Sequence, residues 1–282
     1  MCSIIGYSGS EIAAPIIVKG LKRMEYRGYD SVGVATESEN QIELKKGTGK
    51  VTEVNSKFQL DTLPGRIGIG HTRWATHGKV TDLNAHPHPS NSGKIAIVHN
   101  GIIENFEELK KQLEDDGYSF KSETDSEIIA NLLQKNYEST KNVKDTIMKT
   151  VSAIKGHYAF VAMFENGQLA AARFHEPLII GVGQENIFLS SDVLGFIEYT
   201  DNAIYMKSGN FVILENKEFE ILDFNGEKVK HEITKVSKEF GDAYKGDYAH
   251  FTLKEIYEQP DLISKAGDKT IEGLEEAVDC IR

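Results

Sequence analysis

The sequence contains little cysteine and little proline. Its 282 residues include two cysteines, Cys2 and Cys280, which lie at opposite ends of the chain. A secreted domain held by disulfides carries more cysteines, so the simpler interpretation is a reduced compartment, and we predict no disulfide. Six prolines and an apolar fraction of 40% argue against a long disordered tract and indicate a folded globular protein.

Long apolar runs and an excess of basic residues are also lacking. No stretch approaches the ~18 apolar residues of a membrane span, and the N-terminus lacks the charged and apolar segments of a secretory signal. Asp and Glu outnumber Lys and Arg by 43 to 32, and the net charge of −11 argues against a nucleic-acid partner. These absences exclude membrane and nucleic-acid functions, are typical of an acidic enzyme, and predict a cytoplasmic location.

Apolar periodicity predicts helices mainly in the first half of the chain and strands in the second. Residues 13–24 show one buried helical face, and short strands separated by turn signals run from 158 to 222. Residues 94–98 predict a buried strand that ends in a turn at His99-Asn100-Gly101. A last helical stretch is predicted over 271–281.

Cys2 directly follows the initiator methionine. Removal of Met1 would leave a cysteine with a free α-amine, so that one residue would supply both a thiol nucleophile and a base for the thiol proton. Position alone favours the simpler interpretation of a buried, inert cysteine, because free cysteine is usually found in the core. Motifs further along the chain favour the nucleophile.

Three polar clusters accompany Cys2, namely Glu25-Tyr26-Arg27-Gly28-Tyr29-Asp30, His71-Thr72-Arg73-Trp74-Ala75-Thr76-His77-Gly78 and His99-Asn100-Gly101. With Cys2, these segments resemble the class II glutamine amidotransferase domain of the glucosamine-6-phosphate synthase family, whose members are N-terminal-nucleophile (Ntn) hydrolases. The resemblance covers residues 1–240 and continues through Lys254 to Pro260. It implies an α+β fold, a four-layer αββα sandwich.

The same resemblance implies hydrolysis of L-glutamine to glutamate and ammonia through a γ-glutamyl thioester on Cys2. Asn100 and the backbone N–H of Gly101 would form the oxyanion hole, although a plain turn is the simpler interpretation of this pair alone. Arg73 would bind the α-carboxylate of glutamine with its planar guanidinium. The ammonia would serve glucosamine 6-phosphate synthesis from fructose 6-phosphate.

Five more residues receive roles from the resemblance. Asp125 would bind the α-ammonium of glutamine, although alone it reads equally as a helix cap. Thr76 and His77 would complete the pocket around the α-carbon. Trp74 would gate the ammonia passage, although a lone tryptophan is as consistent with a core aromatic. Arg27 would position the nucleophile, and its alternative is a surface ion pair.

A metal site is a weaker hypothesis. It is suggested by His71, His77, His86, His88 and His99. His86 and His88 would place two imidazoles on one face of a strand, but no third ligand stands at a suitable spacing. The family uses no metal in this half, and the resemblance implies no cofactor. We therefore expect neither.

The sequence departs from the family pattern at two places. Ser3 stands where the family has glycine, and we expect its side chain to crowd the pocket beside the nucleophile. Residues 241–282 read as a linker toward a sugar isomerase half that the chain does not contain. The expected partners are therefore L-glutamine and a sugar isomerase domain or subunit, with homo-oligomers formed only through that half.

Two alternatives remain open from the sequence. The chain would be a catalytically silent glutamine-binding or regulatory module if Met1 were retained or if Ser3 disturbed the pocket. It could also be the glutaminase domain of a phosphoribosyl amidotransferase, which shares the nucleophile and the fold. The segments Glu25 to Ser31 and Lys254 to Pro260 favour the sugar enzyme.

Overall fold

A computed structural model describes most of the chain, which divides into two compact units, Met1–Ser237 and Lys238–Arg282. In the second unit, the rings of Tyr248 and Tyr257 lie with their centroids 5.8 Å apart. The helical stretch predicted over 271–281 lies outside the described residues. The structure describes residues 2–75, 78–215, 218–236, 248, 253–254, 256–260 and 262–264.

The first unit contains two antiparallel sheets and the helices that cover them. The strands within the described residues are β1 (Ser3–Gly9), β2 (Ser31–Ser38), β3 (Gln41–Thr48), β4 (Ile67–Arg73), β5 (His88–Pro89), β6 (Ile95–Ile103), β7 (Gly156–Phe164), β8 (Leu169–Phe174), β9 (Ile179–Val182), β10 (Asn186–Ser190), β11 (Asn202–Tyr205), β12 (Asn210–Glu215), β13 (Glu218–Asp223) and β14 (Thr234–Lys235). The helices are α1 (Ala13–Arg23), α2 (Val51–Phe58), α3 (Phe106–Asp115), α4 (Ser126–Thr140) and α5 (Val143–Ala153).

The two sheets differ in size and in the order of their strands. The first sheet is 8-stranded with the order β14-β11-β9-β10-β1-β4-β2-β3, and the second is 6-stranded with the order β13-β12-β8-β7-β6-β5. Strand β1 therefore lies inside the first sheet, between β10 and β4, while β6 lies near the edge of the second. Among the described residues, no helix is long and apolar enough to cross a membrane.

The layers follow from where the apolar side chains lie. Ile4 and Ile69 of the first sheet share one buried cluster with Val98 and Val161 of the second, so the two sheets face each other. Helix α1 packs on β1 and β4 and buries one apolar face, which confirms the helix predicted over 13–24. On the outer face of the second sheet, α3, α4 and α5 join another buried cluster. The order helix, sheet, sheet, helix is the predicted αββα sandwich.

Strand β6 corrects one prediction. The sequence predicted that the strand ends at Val98 and that a turn follows, but β6 runs to Ile103, with Asn100 opposite Ala159 and Gly101 opposite Tyr158 of β7. Gly101 has a φ of +112°, and a Cβ there would clash with the carbonyl oxygen of His157. Glycine therefore lets the ladder continue where the Asn-Gly pair alone suggests a turn.

Candidate active site

Seven of the predicted site residues line one cavity of about 460 Å³ at the end of the two sheets. Cys2 comes directly before β1, and because Ser3 pairs with Thr72 of β4, the thiol lies next to the end of β4. The two other predicted residues, Thr76 and His77, lie outside the described residues. The seven that line the cavity are Cys2, Arg27, Arg73, Trp74, Asn100, Gly101 and Asp125.

The Cys2 thiol contacts the backbone of Trp74. The Trp74 N–H donates to Cys2 Sγ at 3.2 Å, and Sγ lies 3.6 Å from the Trp74 carbonyl oxygen. Burial raises the pKa of the thiol, and the Trp74 N–H, the N-terminal charge, Arg73 and Arg27 lower it in part. The thiol is therefore protonated at neutral pH, and a nucleophilic attack by sulfur needs a nearby base.

The main chain of Cys2 is held by two side chains. Asn100 Nδ2 donates to the Cys2 carbonyl oxygen at 3.1 Å, and Arg27 Nε donates to the same atom at 3.3 Å. Arg27 Nη1 also donates to Asp192 at 2.9 Å, and the Tyr26 hydroxyl donates to that carboxylate at 3.1 Å. Arg27 thus forms an ion pair and contacts the main chain of the candidate nucleophile at the same time.

Arg73 and Asp125 bring opposite charges to the cavity. Both residues are buried, and Arg73 Nη1 donates to the carbonyl oxygen of Lys79 at 3.2 Å. Asp125 occupies the N-cap position of α4, but its side chain makes no capping hydrogen bond, and its carboxylate accepts instead from the Ile103 N–H at 2.7 Å. The side chain of Asp125 therefore does not cap the helix, and the residue lines the cavity.

Trp74 lies at the surface beside the cavity. Its side chain is 43% exposed and contacts the ring of Tyr29 edge to face, with centroids 5.6 Å apart. The core-aromatic interpretation is therefore wrong. Asp30, for which no role is predicted, accepts from the Ala75 N–H at 2.8 Å and donates its own N–H to the Arg73 carbonyl oxygen at 3.0 Å. The first polar cluster thus supports the backbone around Trp74.

Ser3 does not crowd the cavity as the sequence predicted. Successive side chains of a strand point to opposite faces, so Ser3 faces away from Cys2. Its hydroxyl is fully buried and donates to the Met24 carbonyl oxygen at 2.9 Å. The serine is accommodated behind β1, on the side of helix α1.

Four buried histidines lie beside the cavity, and sequence reasoning considered all four only as metal ligands. The rings of His71 and His86 stack with centroids 4.2 Å apart, and those of His86 and His88 meet edge to face at 4.6 Å. His99 Nδ1 lies 2.8 Å from the hydroxyl of Ser126. Burial lowers the pKa of His71 to about 3 and also lowers the pKa values of the other three.

These four imidazoles are therefore neutral at neutral pH. Among the described residues, no group of three or more His, Cys, Asp or Glu side chains has a geometry that could hold a metal ion. The spacing of His86 and His88 in the sequence signals that two histidines lie close together. The prediction that both lie on one face of a strand is wrong, because β5 begins at His88 and His86 precedes it. His71 and His99 come from β4 and β6, so sequence spacing does not show that they lie beside this pair.

Residues 71–197 match a family model described as a glutamine amidotransferase domain. The chain is 48% identical over 269 residues to a glutamine–fructose-6-phosphate aminotransferase (isomerizing) of Pyrococcus horikoshii, covering 94% of this chain and 45% of that protein. It is 42% identical over 283 residues to the protein of the same name from Aquifex aeolicus, covering 100% of this chain and 47% of that one. The chain thus spans about half the length of the curated relatives it matches.

Solved structures of other proteins have a similar fold. A glutamine phosphoribosylpyrophosphate (PRPP) amidotransferase from B. subtilis superposes with a TM-score of 0.70 at 29% identity, covering 79% of this chain and 49% of that one. A class-II glutamine aminotransferase domain protein from Silicibacter pomeroyi superposes with a TM-score of 0.55 at 15% identity, covering 79% of this chain and 99% of that one. The second likeness concerns the fold alone.

Proposed function

We propose that this chain, which is similar to a glutamine amidotransferase domain and to one half of glutamine–fructose-6-phosphate aminotransferases, hydrolyses L-glutamine to glutamate and ammonia. One observation carries the proposal. A thiol, the Asn100 carboxamide and two opposite charges line a single cavity whose volume suits a small molecule.

The proposed chemistry begins with the removal of Met1, which frees the α-amine of Cys2. The amine takes the thiol proton, and Sγ attacks the side-chain carbonyl carbon of glutamine. The C–N bond of the tetrahedral intermediate then breaks, the nitrogen receives the proton and leaves as ammonia, and a γ-glutamyl thioester remains on Cys2. Water attacks the thioester and releases glutamate, so that one glutamine and one water give one glutamate and one ammonia.

The surrounding residues take the roles that their charges suit. Asn100 and the Gly101 N–H stabilise the oxyanion, because donors fixed in a buried site need no rearrangement as charge develops. Arg73 binds the α-carboxylate and Asp125 the α-ammonium, and Thr76 and His77 complete this pocket. Trp74, exposed beside the cavity, gates the exit of ammonia.

The activity of the whole protein is a further part of the proposal. We infer that residues 241–282 lead toward a sugar isomerase domain or subunit, which would use the ammonia to make glucosamine 6-phosphate from fructose 6-phosphate in the cytoplasm. The names of the relatives support this pathway, and so does identity, which is 48% to an aminotransferase of this kind and 29% to the PRPP amidotransferase. Association of copies would then occur through that sugar half.

Kinetics of site variants test the function and separate the roles. Asn100→Ala should lower kcat by roughly 10²–10³ with little change in KM, because the oxyanion forms only in the transition state. Asp125→Asn should mainly raise KM, because the α-ammonium is bound equally in the ground state and in the transition state. Glutamate release at varied glutamine concentration measures both constants.

The two variants serve as controls for each other, since both residues are buried at the same cavity. A general disturbance of the cavity would change kcat and KM in both. If Asp125→Asn spared KM, the ammonium role would be wrong. If the unchanged chain, with Met1 shown by intact mass to be removed, released no glutamate, the proposed function itself would fail.

A second experiment tests whether this chain only releases ammonia and the sugar half makes the amino sugar. Given L-glutamine and fructose 6-phosphate, the 282-residue chain should produce glutamate and free ammonia but no glucosamine 6-phosphate. The motifs supply a nucleophile and an amino-acid pocket but no recognisable sugar-phosphate site. Glutamate and amino sugar are measured in the same tube. Formation of one glucosamine 6-phosphate for each glutamate would contradict the proposal that the sugar half is required.

A further inference from the structure

We propose that His71 is a positioning residue that fixes the orientation of the Asn100 carboxamide during glutamine hydrolysis, an inference that rests on the proposed function. His71 lies in β4 and Asn100 in β6, and the two side chains meet where the two sheets face each other. His71 Nε2 lies 2.9 Å from Asn100 Oδ1, and both residues are buried. No sequence motif links them.

The orientation matters because the two ends of a carboxamide have similar size but opposite hydrogen-bonding character. With its NH₂ group toward Cys2, Asn100 donates to an oxyanion. After rotation by 180°, its oxygen would face the oxyanion and repel it. An oxyanion hole built on asparagine therefore needs a partner that distinguishes the two ends.

His71 can make this distinction because of its protonation state. Burial lowers the pKa of His71 to about 3 and outweighs the opposing effect of the contact with Asn100, so the ring is neutral and carries one N–H at neutral pH. His71 Nδ1 is buried and has no hydrogen-bond partner within the described residues. An unpaired buried N–H is less tolerated than an unpaired acceptor, so the proton belongs on Nε2. Nε2–H then donates to Asn100 Oδ1.

The hydrogen bonds of Asn100 then leave one donor for the reaction. Its oxygen accepts from His71, and one N–H of Nδ2 donates to the Cys2 carbonyl oxygen at 3.1 Å. Among the described residues, the second N–H has no protein acceptor, and Asn100 lines the same cavity as Cys2. This second N–H is the one that meets the oxyanion.

The ring of His71 is itself held in place. It stacks on His86 with an angle of 17° between the planes, and His86 Nδ1 accepts the backbone N–H of His99 at 3.2 Å. His99 directly precedes Asn100 in β6. The stack thus joins the ring that orients the carboxamide to the strand that carries it.

A double-mutant cycle tests the inference. His71→Leu removes the donor, and we expect kcat to fall by about tenfold or more with KM nearly unchanged, since only the transition state carries the oxyanion. In the Asn100→Ala background, the same change should have almost no effect on kcat, because His71 acts through Asn100. His71→Gln, whose amide N–H can replace Nε2–H, should restore most of the activity.

His88→Leu is the matched control. His88 is buried in the same group of histidines, but its ring contacts His86 and Thr124 rather than His71 or Asn100. We expect this variant to lower the melting temperature as His71→Leu does, and its effect on kcat to be the same in both backgrounds. If the effect of His71→Leu were also equal in the two backgrounds, His71 would be a structural residue and the inference would be overturned.

A further test uses the unchanged protein, so it does not depend on whether a variant folds. The ¹⁵N chemical shifts of histidine-labelled chain should show His71 as a neutral ring with the proton on Nε2. A proton on Nδ1 would overturn the inference, because Nε2 would then accept and the carboxamide would be reversed. If the unchanged chain showed no glutaminase activity, the proposed function would be rejected instead. Failure of the His71 inference and failure of the proposed function are therefore distinguishable.

Discussion

Cys2→Ala should abolish glutamate release while the chain unfolds at nearly the same temperature. Removal of a catalytic nucleophile lowers kcat by up to about 10⁶, and within the described residues no other thiol is present to replace Cys2. The change leaves the fold intact, because Cys2 is only partly buried and lies before the first residue of β1. A coupled glutamate assay and a thermal melt measure the two effects.

An added alanine between Met1 and Cys2 tests the base separately from the nucleophile. The thiol stays in the chain, but the α-amine moves to the alanine, so we expect nearly the same loss of activity as in Cys2→Ala. Intact mass is the control, because it reports which residues were removed. Unchanged turnover in both variants would contradict the mechanism, and unchanged turnover in the insertion variant alone would require another base.

The glutamine analogue 6-diazo-5-oxo-norleucine offers a chemical check on the same prediction. It should attach to Cys2, which lines the cavity that is proposed to bind glutamine, and leave Cys280 unlabelled. Cys2→Ala should take up none of the label.

The sequence could predict individual helices and strands because local patterns determine them, whereas the four-layer arrangement was implied only by the family resemblance. The helix over 13–24 buries a face that its apolar spacing already shows, and the strands of the second half are separated by clear turn signals. Strand β6 could not be predicted to its end, because its continuation depends on pairing with β7, more than 50 residues away. Tertiary pairing overrides the turn preference of Asn100-Gly101.

The candidate site also combines features that the sequence indicates with features that only tertiary contacts define. Linear motifs indicated Cys2 and Arg73, but the role of Asp125 could be separated from helix capping only by its contact with Ile103 N–H. Ser3 looked disruptive because a sequence does not tell which face of a strand a side chain takes. The contact between His71 and Asn100 joins two sheets, so no spacing within the sequence can reveal it.

The second large effect is a loss of stability in mild acid. His71, His86, His88 and His99 are all buried, and burial lowers their pKa values, in the case of His71 to about 3. In the unfolded chain, a histidine titrates near ~6.5. Above that pH the four rings are neutral in both states, so their titration does not change the free energy of unfolding.

As the pH falls below about 6.5, the unfolded chain binds protons that the folded chain does not bind. Stability therefore decreases with falling pH, by about 1.4 kcal/mol per pH unit for each ring, until the pH reaches the lowered pKa of that ring in the fold. Four rings together give a slope of up to roughly 5 kcal/mol per pH unit, against a total stability of about 5–15 kcal/mol for a typical domain. We expect the first unit to unfold between about pH 6 and pH 4.

Urea unfolding at pH 7.5, 6.5 and 5.5 measures this slope, because these values span the pKa of about 6.5 that histidine has in an unfolded chain. His88→Gln should reduce it by about one proton, because glutamine does not titrate here and its side-chain amide can keep the contact that His88 Nε2 makes with the Thr124 hydroxyl at 3.1 Å. His231→Gln, at an exposed position, is the control for the histidine-to-glutamine replacement itself. A free energy of unfolding that stayed constant over this pH range would mean that the four histidines accept protons inside the fold. The ¹⁵N measurement near pH 7 would then decide whether His71 is the neutral donor proposed above.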